Sequence, residues 1–268
     1  MIILNAKKIR DFQTCELSYR YRHLDEVVEP VTRENLLLTH FEEEIKKVMS
    51  FFFYKKQGGN TPSYNALLSR WERNWFRDGE TAYDISMAKH PSTAINVTSL
   101  TTRAASVLLN FYNDFSDDIS SPIMINETYD ISIDNNIRLS ETFDIGLKPP
   151  SDNKVLMMKW VTRGRGPLAR SIDYGLEFAL MDYIYKNKTS LSDKYEANYA
   201  TYEIGSKTNT FKIFNIKDKH RDMLSYWIDR IDKTEIHIPR RGMTTACKGC
   251  NFDALCSSFE LGDDLIDE

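Results

Sequence analysis

Through roughly its first 120 residues the chain places apolar side chains three and four apart, the period of a helix face. Asn5 is positioned to cap a short helix whose apolar side includes Ile9 and Phe12. A longer helix starts at Thr32 or Asn35, carries Leu37, Phe41, Ile45, Val48 and Phe52 on one stripe, and stops before Gly58-Gly59. Thr61-Pro62 reads as the next start, a capping threonine with proline at the first helical position, ahead of Leu67, Leu68, Trp71 and Trp75. Ser99 opens another helix with Leu100, Ala104, Leu108, Phe111 and Phe115.

The period then changes to two. Ile123, Ile125, Glu127, Tyr129, Ile131 and Ile133 alternate with polar residues, Asp134-Asn135-Asn136 is a turn signal, and Ile137, Leu139, Glu141, Phe143 and Ile145 alternate again. This predicts a β-hairpin. Val155 to Val161 reads as a third strand, Tyr195 to Ile204 and Thr210 to Ile216 as two more. Ile172 to Tyr185 and Lys217 to Ile231 read as helices. Strands flanked by helices, with helical sequence before them, predict an α/β or α+β core.

The chain has 268 residues, 41% hydrophobic and 28% charged, enough to bury a sizeable core as one domain. Its 11 glycines and 8 prolines exclude collagen-like and low-complexity classes. The longest apolar run, Val48 to Tyr54, is interrupted by Ser50 and falls far short of the ~20 residues of a membrane-crossing helix, so no membrane partner is expected. Near the N-terminus only Ile2-Ile3-Leu4 is apolar. No secretory signal is therefore expected, and the expected location is cytoplasmic, where thiols stay reduced. The formal charge of −4 conceals an acidic tail. The last twelve residues carry five acids and no base, and the rest of the chain is left at +1. The tail is expected to be solubilising, or to meet a basic protein partner.

Three of the four cysteines form a C-x2-C-x5-C run, Cys247, Cys250 and Cys256, and Cys15 lies 232 residues upstream of it. One tetrahedral thiolate site uses all four. Zinc and an iron–sulfur cluster both commonly take four cysteines, and unlinked core thiols are the bland alternative. A shared site fastens the two ends of the chain together, so that breaking it is a folding defect.

The segment Ile9-Arg-Asp-Phe-Gln-Thr-Cys15-Glu-Leu-Ser-Tyr19-Arg-Tyr21 and the segment Ala246-Cys247-Lys-Gly-Cys250-Asn-Phe252-Asp-Ala-Leu255-Cys256 resemble the opening and closing cysteine motifs of the RecB-like PD-(D/E)XK nucleases. Within that superfamily the likeness is to the iron–sulfur branch, which includes the AddB nuclease domain and the CRISPR-associated adaptation nucleases. It covers most of the chain, although residues 60–120 carry no matching motif. The resemblance implies a single restriction-endonuclease-like (PD-(D/E)XK) domain, a mixed sheet flanked by helices. Its parts are a helical N-terminal insertion over 1–120, a nuclease-like core over 121–238, a cluster-binding end over 239–256 and the acidic tail over 257–268. It implies a [4Fe-4S] cluster on Cys15, Cys247, Cys250 and Cys256, with zinc as the alternative.

The chemistry implied is metal-assisted phosphodiester hydrolysis. Mg2+ or Mn2+, held by oxygen ligands, lowers the pKa of an attacking water, and a lysine beside it orients that water. By motif position His40 and Asp144 match the family's metal ligands, and Lys159 matches the lysine of its acid-x-Lys strand motif. The acid of that motif is here Met157, and a neutral thioether does not replace a carboxylate on a hard ion. Glu177, on the following helix at the place of the family's Gln-x3-Tyr motif (whose Tyr is Met181 here), is the first candidate to complete the site, and Glu127 the second. On strict alternation Asp144 points with Arg138, Ser140 and Thr142, opposite to Phe143 and Ile145.

Basic residues next to this centre, Arg163, Arg165 and Arg170 on a glycine-rich stretch, suit phosphate contact, and Arg240 and Arg241, with Lys248, suit a second patch. Tyr19, Arg20, Tyr21 and Arg22 mix base and aromatic, which suits single strands. Two functions are therefore expected as alternatives. One is a metal-dependent DNA exonuclease acting on single strands or ends. The other is a silent relative that binds nucleic acid or a protein and keeps its cluster for structure.

Overall fold

The computed structural model describes residues 1–27, 33–75, 97–162, 174–204, 208–233, 250, 252 and 256. The alternating middle of the chain forms the predicted hairpin. Strand β2 (Ser121–Ser132) and strand β3 (Ile137–Lys148) pair antiparallel from Ser121↔Lys148 to Ser132↔Arg138. The Asp134 carboxylate closes the turn by accepting from the N–H groups of Asn136 and Ile137, the local contact that makes aspartate a turn former. Strands β4 (Lys154–Thr162), β5 (Glu196–Ile204) and β6 (Thr210–Phe214) continue the sheet. β3–β4 and β5–β6 are antiparallel, whereas β4 and β5 are parallel and are joined through helix α6 (Gly175–Lys188), as a parallel pair requires. A short strand β1 (Ile2–Leu4) completes six, running parallel to Ile137–Leu139. The mixed α/β sheet flanked by helices expected from the sequence is present.

The helices follow their apolar stripes. Asn5 caps α1 (Ala6–Thr14), its Oδ1 accepting from the Lys8 N–H at 2.9 Å. Then come α2 (Glu16–His23), α3 (Arg33–Gln57), α4 (64–75), α5 (Val97–Phe115) and, after β6, α7 (Asp218–Asp232). At α4 the cap is Ser63, whose Oγ accepts from the Ala66 N–H, so Thr61-Pro62 stands just ahead of the helix rather than at its first turn. Among the described residues no helix is long and apolar enough to cross a membrane.

Two cores sandwich the sheet. On one face α3, α4 and α5 bring Phe41, Phe52, Phe53, Trp71 and Phe111 against Ile145, Met158, Trp160 and Tyr202. On the other, α1, α6 and α7 bring Ile9, Phe12, Phe178 and Leu224 against Leu139, Phe143, Met157 and Tyr199.

The strand β3 changes faces partway along. Ile137, Leu139 and Phe143 belong to the α1/α6 core, but Ile145 and Leu147 belong to the α3/α5 core. β2 is irregular at the facing position. Asn126, between the pairs Ile125↔Ile145 and Glu127↔Phe143, has a φ of 51°, a conformation asparagine tolerates better than most residues. Phe143 and Ile145 therefore do not share a face, and Asp144 is not part of a polar row with Arg138, Ser140 and Thr142. It sits buried at the crossover.

Candidate active site

The turnover of β3 coincides with a fork in the sheet. One edge of β3 is paired by β2 throughout. The other edge is divided: β1 takes Ile137–Leu139, and β4 takes Ile145–Leu147. Between these, residues 140–144 meet no strand on that edge among the described residues. Backbone groups so exposed inside a fold must find other partners, and here side chains supply them. The Asp144 Oδ2 accepts from the Trp160 backbone N–H at 2.7 Å, and the Lys159 ammonium donates to the Thr142 carbonyl at 2.8 Å.

Four ionisable groups meet at this fork. Lys159 Nζ lies 2.9 Å from Glu141 Oε1 and 3.3 Å from Glu177 Oε1. The side chains are 13%, 9% and 9% exposed, which takes all three largely out of water. Glu177 reaches in from the first turn of α6, and its second oxygen accepts from Arg10 Nη1 of α1 at 2.8 Å. The second oxygen of Glu141 accepts from the Ala6 N–H, the first residue of α1, at 3.0 Å. A carboxylate there also faces the positive end of the helix dipole.

Burial alone pushes the Lys159 ammonium toward neutrality, but the carboxylates of Asp144, Glu141 and Glu177 outweigh it and hold its pKa above the usual lysine value. Burial likewise favours the neutral form of Glu177, and Lys159 and Arg10 overcome it, so the Glu177 pKa is lowered. This fixes the sign of a pH effect. A carboxyl titrating lower when folded than when unfolded contributes stability that is full above its ordinary value of 4.5 and is lost as pH falls through the folded value. The wild-type melting temperature is expected to fall as pH drops below about 4.5, with a shallower acid limb in Glu177→Gln. Melting temperatures followed from pH 6 downward check this; an identical limb in both proteins removes Glu177 as its source.

The sequence-predicted residues divide sharply. Asp144, Lys159 and Glu177 are brought together. Glu127 is not part of the group: it is exposed and accepts from the Tyr129 hydroxyl. His40 stacks on Trp75, with ring centroids 5.3 Å apart. Its buried Nε2 has no hydrogen-bond partner among the described residues, and no hydrogen bond or ion pair among them joins His40 to Asp144. Met157 is fully buried in the α1/α6 core, where a Cβ on the neighbouring Gly146 would come within 3.1 Å of its Sδ. Glu141 was not singled out from the sequence, although it left a signal: a glutamate in the apolar row between Leu139 and Phe143. Arg10 left none.

At the other candidate centre the two ends of the chain approach. Cys15 caps α2, its Sγ accepting from the Ser18 N–H at 3.4 Å. Phe252, buried between the C-terminal cysteines in sequence, lies 5.7 Å from the Tyr21 ring of α2 and beneath the Arg22 guanidinium at 5.5 Å. Burial raises the Tyr21 hydroxyl pKa, its electrostatic neighbours Cys256, Asp25 and Cys15 add to the rise, and Arg20 opposes it. Of this segment Tyr19 is core, Arg20 pairs with Asp25 at the surface and Arg22 pairs with Asp11. Cys247, Arg163, Arg165, Arg170, Arg240 and Arg241 lie outside the described residues. Among the described residues no group of three or more His, Cys, Asp and Glu side chains is arranged to hold a metal ion.

No family model matches the chain, and no curated protein is similar to it. Among solved structures, a Eubacterium rectale protein classed provisionally as an exonuclease superposes with a TM-score of 0.47 at 11% identity, over 89% of this chain and 84% of that one.

Proposed function

We propose that the chain is a DNA-acting relative of the PD-(D/E)XK nucleases, of the RecB-like iron–sulfur branch, whose hydrolytic centre is an ion-pair cluster and not a working metal site. The observation that carries this is the fork. Asp144, Lys159 and Glu177, each at its expected motif position, converge there, yet both oxygens of Glu141 and of Glu177 and one oxygen of Asp144 are turned onto Lys159, Arg10 and backbone N–H groups. The donor set does not fit Mg2+ or Mn2+. A hard ion needs carboxylate oxygens that it can coordinate, whereas Glu141 and Glu177 have theirs on Lys159, Arg10 and the Ala6 N–H and the motif acid is a core methionine.

The cysteine centre is read as a [4Fe-4S] site, with the following support. Phe252, four residues before Cys256, packs on Tyr21 of the helix that Cys15 caps, and an N–H donor on sulfur is the contact that thiolate ligands of such clusters accept. Cys15, Cys250 and Cys256, with Cys247, would hold it. Bound there, it supplies a cross-link between the two ends of the chain.

DNA contact is assigned to Arg163, Arg165 and Arg170, which follow Lys159 in sequence, and to Arg240 and Arg241, which precede Cys247. Fluorescence anisotropy with a labelled single-stranded oligonucleotide tests it. Binding is expected to weaken steeply with added salt, as phosphate contacts do, and to weaken further when Arg163, Arg165 and Arg170 are changed to alanine. Absence of salt-sensitive binding overturns the assignment. The competing reading is an active Mg2+- or Mn2+-dependent nuclease, favoured by the arrival of two glutamates, Glu141 and Glu177, beside the motif lysine.

A further inference from the structure

We infer that the cleft between α6, α7 and the tip of the β2–β3 hairpin is a docking site for a partner protein that offers a basic amphipathic helix, with its apolar residues on the cleft floor and its lysines or arginines against an acidic rim. The inference goes beyond the proposed function and does not depend on the state of the strand fork.

The shape comes first. The cleft has a volume of about 300 Å³, at the small end of binding pockets and suited to anchoring side chains. Its floor is formed by Ile137, Leu139 and Leu224, all buried, and its walls by Ile133, Tyr183 and Ile228. Ile133 and Tyr183 remain 40% and 39% exposed. Folding therefore leaves two large apolar side chains partly in water at the mouth of an apolar cleft, and covering them is favourable.

The charges select the occupant. Among the described residues that line the cleft, every charged one is an aspartate: Asp134, Asp229 and Asp232. Asp134 is held in place at the rim, because its Oδ1 accepts from the N–H groups of Asn136 and Ile137 at 2.7 and 2.8 Å. Asp229 and Asp232 stand in the last turn of α7, the negative end of the helix dipole, where a cation is the favoured charge. The base of that turn, Arg230, is drawn away to Glu16 at 2.6 Å. Lys233 pairs with Asp229, but both side chains are more than half exposed, and such a pair is worth little. An apolar floor under surplus negative charge is complementary to a helix with an apolar stripe and a basic flank. The same charge repels nucleic-acid phosphate, and a second copy docked about a two-fold axis would set these acids against themselves.

The test is fluorescence anisotropy of a labelled helical peptide with leucines three and four apart on one face and lysines on the other, titrated with the full chain. Its counterpart has glutamate for every lysine. Wild type is expected to bind the lysine peptide saturably and the glutamate peptide not at all. Ile228→Glu is expected to weaken binding about tenfold or more, as loss of a central anchor does. Tyr183→Glu, at a more exposed position, is expected to do the same and serves if Ile228→Glu does not fold. Asp229→Lys/Asp232→Lys is expected to weaken binding likewise, whereas Asp152→Lys/Asp193→Lys, which reverses two exposed acids away from the cleft, is expected to leave it within about twofold of wild type. The inference is overturned if wild type binds the lysine peptide no better than the glutamate peptide, or if the two charge reversals weaken binding equally, which reduces it to attraction by net charge. It is also overturned if wild type sediments as a dimer that Tyr183→Glu dissociates, which makes a second copy the occupant.

Discussion

Lys159→Met is expected to lower the stability of the protein by about 3–5 kcal/mol, the usual cost of removing one partner from a buried ion pair, and its melting temperature by on the order of 10 °C. The lysine is the only cation that touches both glutamates among the described residues, and it also satisfies the Thr142 carbonyl on the unpaired stretch of β3. Methionine fills similar volume, so the loss is one of charge and hydrogen bonds rather than of packing. Two further measurements isolate the cause. Adding Glu141→Gln and Glu177→Gln to Lys159→Met is expected to recover most of the loss, because a polar group deleted with its partners costs far less than one deleted alone. The single variant's deficit is also expected to shrink toward acid pH, where the stranded carboxyls take up protons. Lys159 has a raised pKa in the folded state, so its own contribution is complete below the unfolded value of 10.5 and is lost only above it. Chemical denaturation of the three proteins measures this; a deficit below about 1 kcal/mol in Lys159→Met, the level of an exposed pair, contradicts the buried cluster.

Cys15→Ala is expected to abolish a brown chromophore absorbing near ~400 nm, as a thiolate-bound iron–sulfur cluster does, and to destabilise the whole fold by several kcal/mol, since metal-centre binding energy is folding energy where the centre joins distant segments. Cys15 has a second task as the cap of α2, and the two are separable. Cys15→Ser restores a capping atom, indeed a better one, but replaces a soft ligand with a hard one. Serine is therefore expected to lose colour and stability nearly as alanine does. A serine variant as stable as wild type reduces Cys15 to a cap. A colourless wild-type protein that carries zinc replaces the cluster with the zinc alternative and leaves the closure of the two ends intact.

How far the sequence discloses this architecture depends on whether a feature is periodic. The hairpin, β4 to β6 and the longer helices are periodic and were legible. The turnover at Asp144 was not, because β3 is buried on both faces and an alternating pattern then has no exposed row to mark its phase; the irregularity that permits it, Asn126 at φ 51°, lies on the partner strand. β1 is three residues long, too short for a period, and exists through its pairing with Ile137–Leu139. Motif order located Asp144, Lys159 and Glu177. Arg10 is 167 residues from Glu177 and looks in sequence like any surface base on α1, so only the folded chain discloses the pairing. Glu141 was the one readable hint missed: an acid interrupting an apolar row marks a charge that the fold must compensate.

Hydrolysis of an end-labelled single-stranded oligonucleotide by the wild-type protein, with Mg2+ or Mn2+ present, tests the silent centre most directly. No cleavage above the buffer blank is expected, because Glu141 and Glu177 are already held by Lys159, Arg10 and the start of α1. Cleavage that disappears in Asp144→Ala or Lys159→Ala contradicts it and identifies the fork as a working nuclease site.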